Sequence, residues 1–158
     1  MSLRNATFLL ALSFNCVLGC AKPAAPPAPA KADTGHEHAE EGPHKGHLIE
    51  LGQKGEYHAE LTHDDASKTI TIYLLGPDAK TAVTIADPEL LLNLVAAGEP
   101  QQAKLTASPQ EGETGGSSRF VLVDEKVLEL LEAPKTTGRL NVTINGTSYS
   151  GNLEHHDH

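Results

Sequence analysis

Residues Leu140–Leu153 read L-N-V-T-I-N-G-T-S-Y-S-G-N-L. Leu140, Val142 and Ile144 alternate with polar residues, and Tyr149 and Leu153 carry the apolar phase onward beyond Asn145-Gly146. Such alternation puts every second side chain on one face of a strand. Asn-Gly between two alternating runs signals a two-residue type I′ turn, whose central residues both take positive φ. A hairpin with Val142 opposite Tyr149 is therefore expected, and the same period of two runs through most of the chain before it.

Working back from the hairpin, Asp124 is placed to cap a helix over Glu125–Glu132. Val127, Leu128, Leu130 and Leu131 form its apolar stripe, and Pro134 and Gly138 close it off. Ser118–Val123 reads as a strand, preceded by an exposed Gly/Pro-rich loop over Ser108–Ser117. Gln101–Ala107 and Glu89–Val95 are expected to pair. The leucines at 90, 91, 92 and 94 fit either period, but the seven residues of Glu89–Val95, bounded by Pro88 and by Gly98-Glu99-Pro100, are short for a helix. Thr81–Ala86, Thr69–Leu75, Tyr57–His63 and Leu48–Leu51 read as further strands. Within Tyr57–His63, Tyr57, Ala59 and Leu61 should face inward and His58, Glu60 and Thr62 outward. About eight strands with short turns and one brief helix predict an antiparallel β-sandwich over residues 42–153, a length suited to one core.

Outside that body the sequence changes character. Met1–Arg4 is a short basic segment, and Ala6–Leu18 an apolar run that ends in Val17-Leu18-Gly19-Cys20. This resembles a bacterial lipobox, which implies a signal peptide over residues 1–19 and lipid attachment at Cys20. The lipid would anchor the chain in the cell envelope, facing the periplasm. Ala21 after the cysteine favours the outer membrane over the inner. Residues 20–41 form a Pro/Ala-rich tether that turns acidic and His-bearing at His36 and His38. At about 3 Å per residue the Pro/Ala stretch over residues 21–35 would reach roughly 30–45 Å. Residues 154–158 are a His-rich tail with His155, His156 and His158.

Charge and cysteine content exclude several classes. The chain carries a formal charge of −9, and losing residues 1–19 would remove Arg4 and no acid, so no basic footprint for nucleic acid exists. Cys16 would leave with the signal and Cys20 would be acylated, leaving no thiol for a disulfide, a thiolate metal site or a nucleophile. No G-x-S-x-G, P-loop or dinucleotide fingerprint is present, so no enzyme is expected. With three Tyr, three Phe and no Trp there is little to stack on sugars.

The nine histidines are segregated, with six before residue 64, three after 154 and none between. His44-x-x-His47 sits among Gly42, Pro43 and Gly46, where two imidazoles could converge on one ion. Neutral imidazole suits Cu, Zn or Ni. His58 and Glu60 share a strand face and could add a nitrogen and an oxygen. His63, His36, His38, His155, His156 and His158 are weaker candidates, and Asp64-Asp65 in its turn could touch Ca²⁺. Each spacing also has a plain reading as a solvated strand end, a polar sheet face or a tail.

The run G-P-H-K-G-H-L-I-E-L-G over Gly42–Gly52, followed by Tyr57-His-Ala-Glu-Leu61 and the strand at Thr69–Leu75, resembles small exported bacterial lipoproteins, notably of planctomycetes. It is also similar to a P-H-G-G…E-L-G…E-L pattern near the N-termini of periplasmic adaptor proteins of heavy-metal efflux pumps. Lys45 stands where that pattern has Gly, and no segment matches the adaptors' hairpin or lipoyl-like parts. The resemblance covers roughly residues 42–85 and implies an envelope domain tied to metal handling, with an efflux component as a partner. The functional expectation is a divalent-metal buffer or donor using His44, His47, His58 and Glu60. The alternative is a non-catalytic structural or protein-interaction lipoprotein whose His-rich tails are incidental.

Overall fold

The computed structural model describes residues 41–153. The signal segment, Cys20, His36, His38, His155, His156 and His158 lie outside the described residues. The strands are β1 (His47–Leu51), β2 (Tyr57–Asp64), β3 (Thr69–Leu75), β4 (Glu89–Ala96), β5 (Glu99–Ala107), β6 (Arg119–Val123), β7 (Thr137–Ile144) and β8 (Thr147–Leu153). One helix, α1 (Glu125–Glu132), lies between β6 and β7. The all-β antiparallel class holds, and no helix among the described residues is long and apolar enough to cross a membrane.

The expected two-layer sandwich is corrected. All eight strands form one sheet in the order β1-β2-β3-β6-β5-β4-β7-β8. β6 joins the halves, pairing along its length with β3 but meeting β5 only at Thr106↔Val121 and Ala107↔Phe120. The sheet curls until its edges meet, where the Gly52 N–H donates to the Ser150 carbonyl at 3.1 Å. Gly151 lets the edges approach: a Cβ there would collide with the Glu50 carbonyl and Ile49 Cγ2. Tyr57 and Tyr149 pack edge-on across this seam, with ring centroids 5.0 Å apart. The result is a nearly closed barrel.

Its interior is filled by the alternating residues. Ile49, Leu51, Ile70, Ile72, Leu74, Leu92, Leu94, Leu105, Phe120, Leu140 and Ile144 are each at most 1% exposed. Asp124 caps α1 as expected, its side chain accepting from the Lys126 and Val127 N–H groups, and Leu128 and Leu131 bury against the core. The β7–β8 hairpin has the expected register, Val142↔Tyr149, with φ of 52° at Asn145 and 78° at Gly146.

The turn between β4 and β5 is Ala97-Gly98, also two residues with both φ positive, so Pro100 lies within β5 rather than in the loop. The strand expected at Thr81–Ala86 does not form. That segment makes only the single bridges Leu75↔Ala82 and Ile85↔Ser117. Asp78 draws the Lys80 and Thr81 N–H groups into a turn, and Asp87-Pro88 stops any further pairing.

Candidate functional site

The registers fix the direction of every strand, and with it the place of each histidine. β1, β3, β5 and β7 run one way and β2, β4, β6 and β8 the other. The first residue of β1 (His47), the end of β2, the start of β3, both ends of α1 and the last residue of β8 (Leu153) therefore share one end of the barrel. Glu41, bridged to His47, lies there too. His58, at the start of β2, is at the opposite end, and its Nδ1–H donates to the Gly76 carbonyl at 3.0 Å.

Glu60 faces outward from β2, as the alternation requires, yet it is 0% exposed. The segment Gly42–Gly46 folds over it. The Gly42 N–H donates to the Gly46 carbonyl and the Lys45 N–H to the Gly42 carbonyl, with Lys45 at φ 62°. Two backbone N–H groups, of His44 (2.7 Å) and Gly46 (2.8 Å), converge on Glu60 Oε1. His44 Nδ1 meets Oε2 at 2.7 Å. The His44 ring stacks on Tyr73 at 3.7 Å with an interplanar angle of 6°. A Cβ at Gly42 would run into the carboxylate itself. A buried carboxylate is tolerated only with its hydrogen bonds satisfied, and here three donors do so. The Gly-Pro-His-Lys-Gly run thus folds as a clasp that closes on a carboxylate sixteen residues away.

This geometry changes the reading of the histidine motif. Glu60 has both oxygens engaged by the clasp and the His58 ring is turned to the Gly76 carbonyl, so His44, His47, His58 and Glu60 do not gather around one point. His44 keeps Nε2 directed away from its carboxylate contact, in the arrangement by which a carboxylate fixes the tautomer of a metal-binding imidazole.

Among the described residues, three ligand-type side chains come together elsewhere, at His63, Asp65 and Glu132, whose ligand atoms all lie within 4.8 Å of one another. His63 Nε2 is 3.8 Å from Asp65 Oδ1 and 3.7 Å from Glu132 Oε1. His63 ends the inward-facing phase of β2 at the barrel rim, Asp65 starts the β2–β3 turn, and Glu132 closes α1. The sequence offered His63 and Asp65 separately. Glu132 carried no signal, because it reaches the rim only through the packing of α1.

Neighbouring carboxylates serve local structure. Asp78 is held at a pKa of about 2, first by the Thr81 hydroxyl and then by the Thr81 and Lys80 N–H groups. Asp64 is lowered mainly by hydrogen bonds from Ser67, the backbone bond first. Burial pushes Glu113 upward, but the Ser118 hydroxyl, the Gln110 and Ser118 N–H groups and the Arg119 charge outweigh it, so its pKa is lowered. No family model, no curated protein and no solved structure matches the chain.

Proposed function

We propose that this chain is an envelope-anchored lipoprotein, held by lipid on Cys20, whose barrel binds a divalent transition metal (Cu, Zn or Ni) as a buffer or donor, working alongside a metal-efflux component. One observation carries this reading. The strand directions bring His47, His63 and the two points where the chain continues toward its other His-rich segments, Glu41 and Leu153, to the same end of the barrel, while the clasp holds His44 on the barrel wall against Glu60 and Tyr73. Two imidazoles, His47 and His63, thus share one end of the barrel with both points from which the described chain continues into His-bearing sequence. Nothing in this arrangement supplies a nucleophile with a paired base, which favours binding over catalysis.

The test is calorimetric titration of Cu²⁺, Zn²⁺ and Ni²⁺ into the chain from residue 20 with Cys20→Ser. Saturable binding of at least one ion in the micromolar range or tighter is expected, and no saturable heat with any of the three would refute the reading. Acylation is checked separately by palmitate labelling of the full chain, which Cys20→Ser should abolish.

The outer face of β4 favours a second reading, a protein-interaction module. Leu91 and Val95 are 38% and 42% exposed there. Leu91 and Asn93 line an open groove of about 550 Å³ with Gln102, Asn141 and Thr143. Absence of metal binding, with loss of a partner on Leu91→Ser, would select it.

A further inference from the structure

We infer that His63, Asp65 and Glu132 form the metal centre of the folded body, taking a borderline divalent ion such as Zn²⁺ through one imidazole nitrogen and two carboxylate oxygens. This rests on the metal-binding reading above and names the site where the ion sits.

The geometry is close to what an ion requires. Ligand atoms 2.0–2.2 Å from a tetrahedral ion lie about 3.4 Å from each other. His63 Nε2 stands 3.8 and 3.7 Å from its two partners, so shifts of a few tenths of an ångström bring these pairs to that spacing. The side chains are 45%, 69% and 48% exposed for His63, Asp65 and Glu132, free to make such shifts and open to an incoming ion.

The charge arrangement also calls for a cation. Two carboxylates converge here, and among the described residues their ion pairs are those with His63. Glu132 is the last residue of α1, where the helix presents the negative end of its dipole. By contrast, Lys68 reaches Glu125 at the other end of the helix, not this group. A mixed nitrogen and oxygen set suits Zn²⁺ and its first-row neighbours better than Ca²⁺, which prefers six to eight oxygens.

The test uses Zn²⁺ and the chain from residue 20 with Cys20→Ser, by calorimetry and by imidazole ¹H–¹⁵N spectra. Glu132→Gln and Asp65→Asn, near-isosteric and at exposed positions, should each weaken the tightest site at least tenfold, and Zn²⁺ should shift the His63 ring resonances. Asp64→Asn, whose carboxylate is engaged by Ser67, should leave the affinity within twofold. If the parent binds Zn²⁺ but both rim variants bind it within threefold of the parent, this assignment fails while the broader metal-binding reading stands. If the parent binds none of the ions, both fall together.

Discussion

Replacing Glu60 with alanine leaves the His44 and Gly46 N–H groups and His44 Nδ1–H facing a space that no longer holds an acceptor. Hydrogen bonds to a charged group contribute about 1.5–3 kcal/mol each, but three on one carboxylate share its desolvation and do not add. Removing one partner of a buried ionic cluster costs about 3–5 kcal/mol, the better guide here. At roughly 4 °C per kcal/mol for a domain of this size, Tm should fall by about 12–20 °C.

Glu60→Gln is the informative comparison. Its amide oxygen can still accept both N–H groups, and its NH₂ can donate to His44 Nδ1 once the ring changes tautomer, so a cost of about 1–2 kcal/mol and a drop of about 4–8 °C are expected. Thermal and urea unfolding followed by circular dichroism measure both. A loss below about 4 °C for alanine, or equal losses for the two variants, would show that the clasp does not stabilise the fold and refute the reasoning. His44→Asn separates the clasp from any metal role. Its side-chain amide can donate from the position of Nδ1 while Nε2 is removed, so stability should fall less than for His44→Ala.

Gly151→Val should cost about 1–3 kcal/mol by forcing the seam apart at Glu50 and Ile49, read as lost Tm and faster exchange of the Gly52 amide. Ala97→Asn should stabilise the β4–β5 turn by about 0.5–1 kcal/mol, since Ala97 sits at φ 51°, where asparagine is less strained; an unchanged urea midpoint would argue against it. Thr136 is 2% exposed with no partner for its Oγ1, so Thr136→Val should be neutral or stabilising by about 1 kcal/mol, and marked destabilisation would reveal a missing acceptor. Asp78 has a folded pKa of about 2 against an ordinary 3.8. Its stabilisation is therefore fully present above the unfolded value and is lost as pH falls from 3.8 toward about 2. Asp78→Asn should flatten the stability profile across that window, and an unaltered acid slope would count against the Thr81 turn as its cause.

The sequence by itself determined the local structure. Alternation fixed which face of each strand is apolar, because a period of two has one inward solution once a core exists. Asn145-Gly146 set the β7–β8 register, Asp124 the start of α1, and the lack of histidine between residues 64 and 154 announced an asymmetric molecule.

What the sequence could not decide was whether the sheet would stack on another or close on itself. That depends on two edges more than ninety residues apart meeting at Gly151. It could not decide the Thr81–Ala86 segment either, where side-chain hydrogen bonds at Asp78 outcompeted a ladder. Nor could spacing alone tell that His44 serves Glu60, or that His63 finds its carboxylates in the next turn and at the end of a helix in another part of the chain. Ligand sets and clasps join residues through space, and only the closed sheet sets those distances.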